Sequence, residues 1–236
     1  SLGTSQRGVP LQALVLTQAE GSDATALDNS KRPTILLIGQ QHGDEPAGAE
    51  ALMVIASELS EGLLEPLLQR INVVIVPRAN PDGADAGQRV TANGTDMNRD
   101  HLLLNTPEAQ ALAKLVNLYR PVAVIDSHEY TVVGRYLEKF NAIQRFDALV
   151  QHATTANEPE FVTKAATQWY LEPIRKALDN QRLTSEWYYT TSTDLNDRGL
   201  SMGGAHPDTG RNVNGLKNAV SLLVETRGVG IGNTDI

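Results

Sequence analysis

The sequence predicts an α/β fold: a single domain over residues 1–236, built on a mixed, mostly parallel β-sheet with helices on both faces. Three observations predict it. Short apolar runs rich in Val and Ile recur along the chain, as strands buried on both sides require. Longer stretches with helical spacing separate these runs, the alternation that builds βαβ units. No repeat or low-complexity linker interrupts the pattern, and 236 residues suffice for one domain with a substantial core.

Taken in order, residues 11–17 read as an early strand and Thr34–Gly39 (TILLIG) as a buried central one. Residues 46–59 follow as a helix with Pro46 in its first turn, where a missing N–H costs nothing. Residues 71–77 (INVVIVP) form a second buried strand. Asn80-Pro81-Asp82-Gly83 has turn composition. Pro107–Tyr119 reads as a helix with Thr106 as its cap, and residues 122–127 (VAVIDS) as a third strand. Residues 160–180 have helical spacing, residues 185–190 suit a strand, and residues 212–218 a short helix. Residues 219–226 (AVSLLVET) close the series as a last buried strand.

Composition excludes several classes of function. A net charge of −8 with no basic block argues against nucleic acid and against anionic membranes, which need a concentrated basic face. No apolar run approaches the roughly 18 residues of a membrane span. The absence of cysteine removes disulfide scaffolds, thiolate zinc sites and Cys nucleophiles. The chain opens on Ser1-Leu2 without Met or a basic-then-apolar leader, as either a processed chain or one trimmed for expression would. Compartment, oligomeric state and the full extent of the natural protein stay open at this level.

The polar residues of interest share one location. His42 and Glu45 follow the carboxyl end of one predicted strand, Asp126 and His128 close another, and Glu225 closes a third. In open α/β sheets the ligand crevice lies at those strand ends. His42 and Glu45, three residues apart in the tight turn His42-Gly43-Asp44-Glu45, can reach one ion with His128. Two imidazoles and a carboxylate are a familiar zinc set that leaves a fourth position for water. Taken singly, each has an ordinary explanation as a surface or hydrogen-bonded side chain. Asp44 and Asp126 sit beside presumed ligands and could bridge a second metal, but the stronger reading has Asp44 capping the following helix and Asp126 bonding a loop or a ligand histidine. A loop rich in Asn, Asp and Gly carries Arg89 and Arg99 with no evident partner, so surface ion pairs compete with carboxylate recognition there. Glu225 ends a buried run, where an unpaired carboxylate is costly; Arg227 is its sequence-local candidate partner.

The ordered set HGDE (42–45), NPDG (80–83), Arg89, DMNR (96–99), SHEY (127–130) and VETRG (224–228) resembles the zinc metallocarboxypeptidases related to carboxypeptidase A, as a compact bacterial-type member. The resemblance runs from about residue 35 nearly to the end. It implies one Zn2+ per chain held by His42, Glu45 and His128, with Asp96 orienting a ligating histidine. It implies that Arg89 polarises the scissile carbonyl and that Asn98 and Arg99 hold the substrate's terminal carboxylate. Tyr130 becomes an aromatic contact to substrate and Glu225 the general base and acid. The substrate implied is a peptide, or an acylated amino acid, with a free carboxylate. One departure is visible: residues 199–214 lack the tyrosine that digestive members carry on a mobile loop, leaving His206, Arg211 or no residue in its place, with Tyr188 and Tyr189 further back. The main rival is a zinc N-acyl amino acid deacylase of the aspartoacylase and succinylglutamate desuccinylase type. A non-catalytic binding module would have lost a ligand or Glu225, and all four residues are present.

Overall fold

In the computed structural model, which describes residues 1–228, the chain begins with a small antiparallel ribbon, β1 (Gly3–Thr4) against β2 (Pro10–Leu11). The main sheet takes its seven strands from β3 (Leu14–Leu16), β4 (Thr34–Gly39), β5 (Asn72–Val76), β6 (Ala123–Tyr130), β7 (Ala148–His152), β8 (Ser185–Trp187) and β11 (Val220–Arg227). Their spatial order is β3-β5-β4-β6-β11-β7-β8. The inner four, β5, β4, β6 and β11, are mutually parallel, while β3 and β7 join antiparallel. The remaining pair, β9 (Thr190–Thr191) and β10 (Leu200–Ser201), forms a second ribbon beyond the sheet.

Alternation along the strands sends one apolar set to each face. On one face Leu36, Ile38, Val74, Val76 and Val124 pack with Leu112, Leu115 and Val116 of the helix α4 (Pro107–Tyr119) and Leu27 of α1 (Ala24–Asn29). On the other, Leu37, Val73 and Ile75 meet Leu52, Ala56 and Leu59 of α2 (Pro46–Glu61). Further along that face, Val150 and Leu222 meet Val162, Ala166 and Leu171. Helices therefore cover both faces, as the alternating pattern predicts. Among the described residues no helix is long and apolar enough to cross a membrane.

Several local expectations need correction. Residues 11–17 divide between β2 and β3. NPDG is the start of a helix, α3 (Pro81–Ala86), whose first turn is capped by Asn80 Oδ1 accepting from Gly83 N at 3.0 Å. Residues 160–180 stay helical, but as α6 (Glu160–Ala165) and α7 (Glu172–Asn180) joined by a π-helical turn at Ala166–Leu171. Pro173 explains part of this, because it cannot donate into the i→i−4 ladder. The strand expected at 185–190 ends at Trp187, and the short helix α8 runs Gly210–Gly215, earlier than 212–218. β7 and the short α5 (Arg135–Phe140) have no counterpart in the sequence reading.

Candidate metal centre

The parallel register of the central strands builds the site. Glu225 of β11 lies opposite His128 of β6, and two residues earlier Leu223 lies opposite Asp126, so Asp126, His128 and Glu225 share a face at neighbouring strand ends. β4 ends beside them. There Gln40 turns the chain with φ 51° and donates from Nε2 to Gly43 O at 3.0 Å, which delivers His42 and Glu45 to the same place. Gly43 is required by close approach, not by backbone freedom. A Cβ there would lie inside van der Waals contact of Gly83 and Ala84, so the HGDE turn is packed directly on α3.

The three presumed ligands converge. Glu45 Oε1 lies 2.7 Å from His42 Nδ1, Glu45 Oε2 lies 2.8 Å from His128 Nδ1, and the two Nδ1 atoms are 3.1 Å apart. Each histidine has a carboxylate behind its other nitrogen: Asp96 Oδ1 at 3.2 Å from His42 Nε2, and Asp126 Oδ2 at 3.1 Å from His128 Nε2. A carboxylate can only accept, so these partners place hydrogen on Nε2 and leave both Nδ1 lone pairs facing one another. Lone pairs at that separation need a cation or a proton between them. Burial works against charge on His128, but Asp126 and Glu45 outweigh it and raise its pKa well above the ordinary value. Burial likewise opposes ionisation of Glu45, yet His128 and His42 hold it down to about 2. A buried carboxylate and two Nδ1 donors backed by carboxylates fit zinc, whose catalytic sites take nitrogen and oxygen ligands and keep one position open.

The supporting residues differ from the sequence reading in instructive ways. Asp126 bonds the far nitrogen of His128 and also accepts from Gln41 Nε2 at 2.7 Å, so it is engaged on the side of His128 away from Glu45 and His42. Asp44 makes no cap to α2. That helix is capped by Glu129, which accepts from Ala47 N at 2.7 Å while its own N–H donates to Glu45 Oε2 at 3.1 Å. Neither Gln41 nor Glu129 was foreseen. The only signal for them is adjacency to His42 and His128. Behind them His101 Nε2 bonds Gln41 Oε1 at 2.6 Å, and burial pushes the His101 pKa down to about 4.

The remaining candidates line one cavity of about 560 Å³ that opens on His42 and Glu45. Arg89 is not without a partner. It donates twice to Asp96 Oδ2, at 3.1 and 3.0 Å, and its Nη1 lies 3.2 Å from His42 Nδ1. Arg99 is exposed and bonds only the carbonyl of Asn98, at 2.6 Å, among the described residues. Asn98 itself is engaged: its Oδ1 accepts from Gly210 N at 2.8 Å and its Nδ2 stands 3.3 Å from His128 Nε2. The Tyr130 hydroxyl donates to the Phe146 carbonyl, and burial pushes its pKa up to about 12. Arg227 pairs with Asp147 at 3.3 Å, which removes it as a partner for Glu225. Glu225 is buried, forms no side-chain hydrogen bond or ion pair among the described residues, and burial is the chief cause of its pKa rising to about 7. His206 does not line the cavity, whereas Tyr188, Tyr189 and Arg211 do.

Fold and cluster together define an α/β protein with a His–Glu–His cluster able to hold a metal ion at the carboxyl ends of central parallel strands. Residues 1–137 match the Peptidase_M14 profile, zinc carboxypeptidase, and the chain belongs to that family. It is 30% identical over 208 residues to carboxypeptidase 2 of Trichophyton rubrum, a match covering 87% of this chain and 39% of that protein. It is also 30% identical over 195 residues to carboxypeptidase D of Mus musculus, covering 66% of this chain and 14% of the other. A metallo-carboxypeptidase from Burkholderia cenocepacia shares the fold, with a TM-score of 0.69 at 18% identity over 96% of this chain and 54% of that one. The chain thus spans about two-fifths of the length of the fungal relative it matches.

Proposed function

We propose that this chain carries the catalytic centre of a zinc-dependent carboxypeptidase that hydrolyses the C-terminal peptide bond of its substrates. The observation that carries the reading is Glu225: a buried carboxylate without a pairing partner among the described residues, opposite His128 in the sheet, lining the same cavity as His42 and Glu45. Zinc bound by those three residues would lower the pKa of water to about 7 and act as a Lewis acid toward the scissile carbonyl. Glu225 takes the proton of the attacking water and returns it to the departing amine. A carboxyl held near neutrality can do both in turn. Arg89, fixed by its two bonds to Asp96, faces the cluster from the cavity side and stabilises charge developing on the carbonyl oxygen. Arg99, at the mouth, receives the terminal carboxylate and restricts cleavage to the last bond.

Two predictions test the supporting parts. Asp126→Asn is expected to lower zinc affinity by about ten- to a hundredfold, because the amide no longer fixes the His128 tautomer. Competition against a chromogenic chelator measures this, and unchanged affinity would assign Asp126 to packing alone. Arg99→Ala is expected to raise KM for free-carboxylate peptides by about ten- to a hundredfold and to spare their C-terminally amidated counterparts. Equal effects on both would make Arg99 structural. Running blocked dipeptides beside simple N-acyl amino acids in the same assay separates a peptidase from a deacylase.

A further inference from the structure

Arg211 is the strangest charge in the molecule. Its side chain is 95% buried, with 5% relative exposure, at the start of α8 and on the wall of the cavity. Its hydrogen bonds go to neutral oxygens at long range: Nε to Asn212 Oδ1 at 3.4 Å, and Nη2 to Thr154 Oγ1 and Gly204 O at 3.3 Å each. Nη1 is buried with no hydrogen-bond partner, and no carboxylate forms an ion pair with the guanidinium among the described residues. An arginine cannot discharge itself by losing its proton, so burial without a counterion is costly unless an anion arrives.

The surroundings hold the guanidinium in place. The Tyr188 ring lies 5.9 Å beneath it. Gly203, at φ 84°, covers it so closely that a Cβ there would come within 2.9 Å of Nη2. Asn212 in turn ties down the covering loop, donating to Gly204 O at 2.9 Å and His206 O at 2.8 Å. This is a fixed donor, not a side chain seeking solvent. Tyr188, Glu225 and Asp126 act on its charge favourably through space but none forms an ion pair with it, Arg99 repels it, and Arg89 and Arg135 line the same cavity. Four arginines thus face three glutamates there. Of these, Glu45 belongs to the cluster, Glu129 caps α2, and Glu225 is the proton-transfer group. Arg89 is already paired with Asp96, which leaves Arg99, Arg135 and Arg211 as the cavity's other cations.

We infer that Arg211 forms an anion-binding subsite for the side-chain carboxylate of the departing residue, so that the preferred substrate ends in a dicarboxylic amino acid, Glu or Asp. Arg99 then receives one carboxylate of that residue and Arg211 the other. The inference rests on the carboxypeptidase reading and adds the substrate class to it. It also gives the tyrosine-free stretch 199–214 a role: the loop roofs a charge receptor.

The test is a set of blocked dipeptides differing only in the last residue: Glu, Asp, Gln, Leu and Lys. The wild-type kcat/KM for Glu is expected to exceed that for Gln by about ten- to a hundredfold, the worth of a hydrogen-bonded charge. Arg211→Met should bring that ratio toward unity whatever the overall rate, and Arg211→Lys should keep part of it. Faster cleavage of Leu or Lys than Glu by the wild type would overturn the inference, as would an equal loss on Glu and Gln in Arg211→Met, which is what a purely structural arginine gives. If no peptide is cleaved, the carboxypeptidase reading fails instead. Calorimetric titration with N-acetylglutamate and N-acetylglutamine then reads the subsite directly, tighter glutamate binding supporting it and equal binding refuting it. The wild-type arms need no variant, so a misfolded Arg211→Met protein does not rescue the idea.

Discussion

Glu225→Gln is expected to lower turnover by about a hundred- to ten-thousandfold, the range that general acid–base groups contribute, with folding, zinc content and substrate binding intact. The substitution keeps size and polarity and removes the ability to take a proton. Nothing in the fold depends on the charge: Glu225 has no pairing partner among the described residues, and Arg227, the candidate structural partner, is held by Asp147. Burial already strains the ionised form, so the neutral amide should leave thermal stability unchanged or slightly higher. Steady-state kinetics, metal analysis and thermal melting on one preparation separate the outcomes. A folded, zinc-loaded variant with near-normal kcat removes Glu225 from the mechanism, whereas activity falling in step with the folded fraction makes it structural.

His128→Ala is expected to lower zinc affinity by more than about a hundredfold, beyond what losing an outer partner costs, and to abolish zinc-dependent activity. The residue joins β6 to the cluster: its Nδ1 faces Glu45 at 2.8 Å and His42 at 3.1 Å, while Asp126 holds the ring from behind. In the wild type, zinc at about a hundred times its Kd should stabilise the fold by about 2.7 kcal/mol, and a chelator should reverse this. The variant should show no such shift. Metal analysis of the dialysed wild type should return one equivalent per chain, because Asp126 is committed to the Nε2 side of His128. Two equivalents would restore the bridging reading of Asp126, and one equivalent retained by His128→Ala would break the ligand assignment.

Legibility in the sequence followed range. The runs TILLIG and NVVIV are almost wholly apolar, and VSLLV is broken only by Ser221, because their strands are buried on both faces, so the parallel centre of the sheet could be read directly. β7 (ALVQH) could not. Its apolar run is only three residues, and it becomes a strand because β11 and β8 flank it. NPDG has turn composition, yet Asn80 uses it to start a helix, a choice settled by the HGDE turn packed against Gly83. The helix cap offered another false lead. Asp44 stands at the right place in the chain, but the amide of Ala47 is taken by Glu129, 82 residues away.

By itself the sequence determined which chemistry was possible: strand ends bearing His42, Glu45, His128 and Glu225, no thiols, and a run of motifs that resembles one family. These are properties of residue type and local spacing, and one chain carries them in full. The tertiary structure alone decided how charges are partnered. It set Asp126 behind His128, Glu129 on α2 and Asp96 on Arg89, and it left Arg211 buried without an ion-pair partner among the described residues. The reason is physical: a charged group's partner is whichever group the fold brings within about 3 Å in a poorly screened interior, and distance along the chain says nothing about that.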